Sequence, residues 1–254
     1  MSASDGPIRR AMLLAAGAGS RLGELSASIP KPMLPVAGRP LIEHTVRQLA
    51  RYGVRDVVIN LHRNGEVIRR HFGDGAAYSL RVHYSDEPEL LGTAGGVKKC
   101  ESLFRGQSFL VIYGDNLTTC NFEALVASHR KHGGLATIAL FWRDDVSPHS
   151  AVDIRADDRI VRFVEKPTAA EAPSHWISAG VIAFEPEVLD FIPADRPSDL
   201  GFEVFPRLLS GGLPVYGYYL TGTEGLWWID TPEAYRRVSA LWQDGAPGES
   251  GVRR

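Results

Sequence analysis

Five short strand-like runs, mostly apolar and separated by helix-sized amphipathic stretches, most constrain this chain. Asp56-Val-Val-Ile-Asn-Leu61 and Phe109-Leu-Val-Ile-Tyr113 typify them. A strand that is apolar on both faces must be covered on both faces. Alternation with helices then predicts a mostly parallel sheet with right-handed crossovers. The spacing predicts strands over Met12–Ala15, Asp56–Leu61, Arg81–Ser85, Phe109–Tyr113 and Ala136–Phe141. Helices are expected over Leu41–Tyr52, Glu66–Phe72, Val97–Phe104 and Phe122–His132. The second half changes character. Val152–Arg155 and Arg159–Val164 read as a hairpin around the polar turn Ala156-Asp-Asp158. A strand at Ile177–Phe184, short helices near Pro186–Phe191 and Phe202–Leu209, a strand at Val215–Leu220 and a helix at Pro232–Trp242 follow. Asn121 and Thr231 are placed to cap helices, with Pro232 at a first helical position.

No linker rich in Pro, Gly or Ser divides the halves. We therefore expect a tail over 1–9, a single domain over 10–242 and a disordered polar tail over 243–254. The 254 residues, 44% hydrophobic, suffice for a large core. Net charge is −2, from 28 basic and 30 acidic residues, so no basic excess points to nucleic acid or a membrane surface. The N-terminus lacks the pattern of a secretory signal, and the apolar runs are strand-sized. Cys100 and Cys120, outside any metal-ligand spacing, read as reduced thiols of a cytoplasmic protein. The histidines form no convincing ligand set, and His129 and His132 read as solvated on one helix face.

Chemistry concentrates at strand ends. Arg10-Ala-Met-Leu-Leu-Ala-Ala-Gly-Ala-Gly-Ser-Arg-Leu22 runs from a strand into a loop of small residues ending on an arginine. Small side chains let backbone N–H groups close on phosphate oxygens, and a following helix would add its dipole. Such a turn alone also reads as a tight strand-to-helix connection. Arg21 and the Lys31-Pro32 pair add fixed charge for a polyanion. The dinucleotide fingerprint is excluded, because Leu22 stands where its third glycine belongs and Asn60 where an acid should end the next strand. The Walker pattern is absent. Asp115, in Tyr113-Gly-Asp-Asn-Leu117, sits where a Mg²⁺ ligand facing a triphosphate would, or caps the next helix. Lys166, in Glu165-Lys-Pro167, could neutralise a second phosphate while Glu165 accepts from sugar hydroxyls; a surface turn is the plainer alternative. In Glu87-Pro-Glu-Leu-Leu-Gly-Thr-Ala-Gly-Gly96 the glycines permit close packing of a flat ring, and Glu87 could bond a base edge.

Together LLAAGAGSRL, Lys31-Pro32, ELLGTAGG, YGDNL, FVEKP and SAGVIAFEPEVLDFI resemble the sugar-1-phosphate nucleotidylyltransferases, closest to single-domain mannose-1-phosphate guanylyltransferases. The resemblance implies an α/β, Rossmann-like three-layer sandwich whose mostly parallel, mixed sheet carries a small β-rich sugar-binding region. It implies condensation of a nucleoside triphosphate, here GTP, with a sugar 1-phosphate of manno type, by in-line attack on the α-phosphorus with loss of pyrophosphate. Ala16, Gly17, Gly19 and Ser20 would cradle the triphosphate, with Glu87, Gly92 and Thr93 toward the nucleotide. Arg21, Lys31, Asp115 and Lys166 would be catalytic. Glu165, Gly180 and Asn116 would line the sugar pocket. Mg²⁺ is the implied cofactor, and a homodimer is common among similar proteins. A carboxylate at Glu87 suits guanine, whose N1–H and N2–H₂ are donors, where a glutamine amide suits uracil or thymine.

One segment departs from the pattern. The family's second metal aspartate belongs to Trp-x-Asp-Ile-Gly-Thr-Pro-Glu, and here the chain reads Leu226-Trp-Trp-Ile-Asp-Thr-Pro-Glu233. Aligned without a gap, Trp228 takes the metal position; with a two-residue deletion, Asp230 does. A uridylyl or thymidylyl transferase, a guanylyltransferase for a heptose or carbasugar phosphate, and a silent nucleotide-sugar-binding subunit remain alternative readings.

Overall fold

The computed structural model describes residues 6–17, 19–26 and 29–243. The segment 244–254, within the expected polar tail, and 1–5 lie outside the described residues. The described chain gathers into two compact units, each built from separate stretches. The first holds Arg9–Leu90, Ile112–Asn121 and the described part of Thr221–Arg254; the second holds Leu91–Val111, Phe122–Leu220 and the described part of Met1–Ile8.

In the first unit the strands Arg10–Leu14, Asp56–Leu61 and Arg81–Asp86 pair in parallel, with Met12 opposite Val58 and Asn60 opposite Ser85. Their side chains are buried on both faces at Met12, Leu13, Val57, Val58 and Ile59, as the uninterrupted apolar runs require. The helix Leu41–Tyr52 buries Leu41, Ile42, Thr45, Val46 and Leu49, one stripe at helical spacing. It stops at Gly53, whose positive φ of 109° lets its N–H return to Leu49 and Ala50 carbonyls. Beside this layer, Asn116–Thr118 pairs antiparallel with Leu226–Trp228, a ribbon that periodicity misses because each strand has only three residues.

A second apolar cluster in this unit joins Leu22, Leu34, Val36, Leu41, Leu117, Ile229, Val238 and Trp242, with Trp227 and Tyr235 against it. Trp242 is 2% exposed and meets Trp227 edge to face at 5.3 Å. The final helix, Pro232–Leu241, begins as expected, with Thr231 Oγ1 accepting from the Ala234 N–H and Pro232 at the first position.

The second unit is predominantly antiparallel. Trp176–Phe184 pairs antiparallel with Ala136–Trp142, which in turn pairs in parallel with Val215–Tyr219. The expected hairpin forms from Ser150–Ile154 and Ile160–Glu165, with Glu165 opposite Ser150. Phe163, Phe205, Phe184, Phe109 and Phe104 pack in succession through its core, with neighbouring ring centroids 4.5 to 6.0 Å apart. His129, expected on a solvated face, is 1% exposed. One ring nitrogen lies 2.9 Å from Thr137 Oγ1 and the other 3.1 Å from Glu185 Oε1, so two polar partners make its burial affordable.

The expected helix Val97–Phe104 is two pieces, Gly92–Lys99 and Glu101–Phe104, and it starts five residues early. Close approach explains the start. Gly92 has φ +75°, and a Cβ there would stand 2.3 Å from the Ser198 carbonyl oxygen, which accepts from the N–H groups of Ala94 and Gly95. Gly92→Ala is therefore expected to cost about 1–3 kcal/mol, as overpacking does, read as a lower urea midpoint at unchanged slope.

Among the described residues no helix is long and apolar enough to cross a membrane.

Candidate functional site

The first unit gathers four of the expected charged residues. Lys31 opens a short 3₁₀ turn after Pro30, and its side chain is only 5% exposed. Its ammonium donates to Asp115 Oδ2 at 2.8 Å and to Asp230 Oδ1 at 2.6 Å. Arg21 reaches the other oxygen of Asp230 at 3.4 Å from a side chain 66% exposed. Burial draws the Lys31 pKa down, but the two carboxylates outweigh it, and the net direction is up. The ammonium stays charged.

The apolar cluster places this centre. Three of these residues lie near an anchor within it: Leu34 is three residues after Lys31, Leu117 two after Asp115, and Ile229, fully buried, immediately precedes Asp230. Gly114 lets the Asp115 segment approach the first strand, donating its N–H to the Leu14 carbonyl at 2.9 Å; a Cβ there would lie 3.2 Å from that oxygen. Of the two positions that the alignments offer, Asp230 is the one whose side chain lies beside Lys31. Trp228 is half-buried in the ribbon, in register with Asn116, itself buried.

Ala16, Gly17 and Gly19 form the described part of the loop, together with the backbone of Ser20. Gly17 is open, whereas Gly19 has φ +60°, with its Cα side turned to Lys31 Cβ. The helix expected to follow is instead a 3₁₀ stretch, Ser20–Ser26, broken at Gly23 by a φ of 56°. It offers no α-helical dipole, so loop N–H groups and the fixed charges of Arg21 and Lys31 are what remain for an anion. Glu87 is 3% exposed and accepts from Asn60 Nδ2 at 2.8 Å.

Gly92, Thr93, Glu165, Lys166 and Gly180 lie in the second unit. The Thr93 hydroxyl donates to Asp199 Oδ2 at 2.8 Å and accepts from the Leu200 N–H at 2.8 Å. The other Asp199 oxygen caps the π-helical turn Leu200–Val204 through the N–H groups of Gly201 and Phe202. Gly92 and Thr93 thereby hold the segment Ser198–Phe202. Glu165 accepts from the Ser150 hydroxyl, and Gly201 packs so closely that a Cβ would meet its carboxylate at 2.3 Å. Lys166 has φ +48° immediately before Pro167, a strained conformation of the kind that gathers at functional positions. Its ammonium lies 5.8 Å from the centre of the Phe202 ring. Gly180, φ +67°, occupies a bulge in the strand Trp176–Phe184. Ser150 had no motif to announce it, being the partner of a motif residue.

The model of the nucleotidyl transferase family matches residues 10–244. The chain belongs to that family. Among curated relatives, a UTP–glucose-1-phosphate uridylyltransferase of Synechocystis is 36% identical over 247 residues, covering 92% of this chain and 62% of the relative. A mannose-1-phosphate guanylyltransferase of Mycobacterium tuberculosis is 35% identical over 233 residues, covering 91% and 63%. This nucleotidyl transferase family member thus spans about six-tenths of the length of these relatives. The crystal structure of a putative glucose-1-phosphate thymidylyltransferase from Bacillus anthracis, in complex with a sucrose, superposes with a TM-score of 0.82. That likeness covers 92% of this chain and 95% of the other at 23% identity. It shows the expected fold, a mixed sheet with helices.

Proposed function

We propose that this chain condenses a nucleoside triphosphate, GTP, with a sugar 1-phosphate of manno configuration, releasing pyrophosphate. The observation that carries the reading is the buried Lys31 ammonium held between Asp115 and Asp230 beside the glycine loop. A phosphate oxygen of the sugar attacks the α-phosphorus as the bond to the β-phosphate oxygen breaks, and pyrophosphate leaves with that electron pair. No side chain is covalently modified, so the chain contributes position and charge. Lys31 stabilises charge on the α-phosphate and leaving group, Arg21 the terminal phosphates, and Lys166 the incoming sugar phosphate. Glu165 and Gly180 face the sugar hydroxyls, with Asn116 and the loop residues as inferred from sequence.

Asp115 and Asp230 suit Mg²⁺. Their hard oxygens already converge on one cation, the ammonium, and two carboxylates completed by phosphate oxygens and water are the usual complement for this ion. Bound there, Mg²⁺ would neutralise phosphate charge.

Glu87 favours GTP. Its burial sharpens the choice, since uracil would set a carbonyl against the carboxylate and forfeit a bond worth roughly 1–3 kcal/mol. The mycobacterial relative, a guanylyltransferase, supports guanine, and the Synechocystis relative, a uridylyltransferase, makes UTP the competitor to test. Pyrophosphate release with Mg²⁺, across four nucleoside triphosphates and a panel of sugar 1-phosphates, decides. Turnover is expected with GTP and mannose 1-phosphate. Turnover with UTP alone would overturn the base assignment, and binding without turnover would make the chain a silent subunit.

A pH dependence follows from Glu165. Burial pushes its pKa up, the Ser150 hydroxyl opposes that by bonding the charged form, and nearby Asp199 adds to the rise. If the carboxylate must be ionised to accept from the sugar, KM for the sugar 1-phosphate rises as pH falls through this raised pKa. Ser150→Ala is expected to move that acid limb to still higher pH, measured as KM against pH at saturating GTP. An unmoved limb would remove Glu165 from sugar binding.

A further inference from the structure

Asn60 is the penultimate residue of the second parallel strand, and it is 3% exposed. Its side-chain Oδ1 accepts the N–H of Ala15 at 2.7 Å, the residue that leads from the first strand into the glycine loop. Its Nδ2 donates to Glu87 Oε1 at 2.8 Å. A backbone donor on one side and a carboxylate on the other can be satisfied together only by a group with one acceptor and one donor, which is what an amide is. An aspartate would face Glu87 with like charge.

The Glu87 backbone is itself pinned. Its N–H donates to the Leu61 carbonyl at 2.7 Å, and its carbonyl lies 2.8 Å from His62 Nδ1. Glu87 is thus a fixed post, its carboxylate sets the rotamer of Asn60, and Asn60 holds the start of the loop. The chain of contacts runs across the ends of all three parallel strands of the first unit.

We propose that Asn60 is a positioning residue through which Glu87 sets the geometry of the phosphate loop. The group assigned to choosing the base also sets the affinity for the phosphates. Base and triphosphate recognition are then one coupled property, and exchanging the residue at position 87 alters both unless the bridge to Asn60 survives. This rests on the reading of the chain as a nucleoside triphosphate binder.

Inorganic tripolyphosphate separates the two effects, because it carries phosphates and no base. Its binding with Mg²⁺ to the full chain would be measured by calorimetry for wild type, Glu87→Gln, Glu87→Ala, Asn60→Ala and the double alanine variant, each first checked by thermal melting. Glu87→Gln keeps a carbonyl oxygen for Asn60 Nδ2 and should bind within about twofold of wild type, while GTP selectivity over UTP falls. Glu87→Ala and Asn60→Ala should each weaken tripolyphosphate by about tenfold, the effect of losing a hydrogen bond to a charged partner. The double variant should be no weaker than Asn60→Ala, since both changes cut one connection. Should Asn60→Ala not fold, Glu87→Ala against Glu87→Gln carries the test. Tripolyphosphate binding unchanged in Glu87→Ala, or fully additive losses, would overturn the coupling. Wild-type protein that binds tripolyphosphate in this pattern yet turns over no nucleotide would sink the proposed activity and leave the coupling standing.

Discussion

Replacing Lys31 with alanine is expected to lower kcat by roughly 100-fold or more, the loss that follows removal of one preorganised electrostatic donor. The residue is well suited to such a role. Its ammonium is buried, stays protonated, and is already oriented by two carboxylates, so little reorganisation remains when phosphate charge develops. Alanine has a second consequence. Asp115 and Asp230 would lose their shared counter-ion and repel one another, so Mg²⁺ should bind the nucleotide-free variant more tightly than wild type. Single-turnover kinetics and a Mg²⁺ titration read the two effects. A kcat within threefold of wild type would remove Lys31 from the chemistry.

Asp230→Asn should come next, with kcat lowered by about 100-fold and a higher Mg²⁺ concentration needed for half-maximal rate. The amide keeps the size and loses the charge that faces Lys31 and Arg21. Trp228→Phe is the counterpart. It stands where an ungapped alignment places the metal ligand, yet it belongs to the ribbon opposite Asn116. It should change kcat by less than about fivefold, as a packing change that keeps an aromatic ring does. Equal losses in both variants would mean the segment tolerates no change, and the metal assignment of Asp230 would then need the Mg²⁺ titration alone to survive.

The strands and long helices were legible because their signal is local and repeated. Leu41–Tyr52, Asp56–Leu61, Phe109–Tyr113 and Phe122–His132 follow the expected bounds. Motif residues were legible where side-chain type declares a charge, as at Lys31 and Asp115. Partners were not. Asn60 was noticed only as the wrong residue for a dinucleotide site, although an amide ending the run Val57-Val-Ile is itself a signal that a polar group is needed there. Ser150 becomes visible only when Glu165 is seen to bond it. The glycine loop misled differently. Its composition fits a turn into a helix, and Gly23 breaks what would have been that helix. Periodicity also failed at His129, whose two hydrogen-bond partners lie 8 and 56 residues away in sequence.

Lys31 meets Asp115 across 84 residues and Asp230 across 199. A ribosome therefore delivers the three members of the charged centre at widely separated times. The loop and its lysine emerge early, and the acid that completes the pair arrives only after the entire second unit has been made. Since nascent chains fold from the N-terminal side as they appear, the growing polypeptide holds a cation without its full counter-charge until residue 230 has been made. The charged centre is complete only once Asp230 has emerged, and a chain cut short before it lacks that centre however well its first strands have formed.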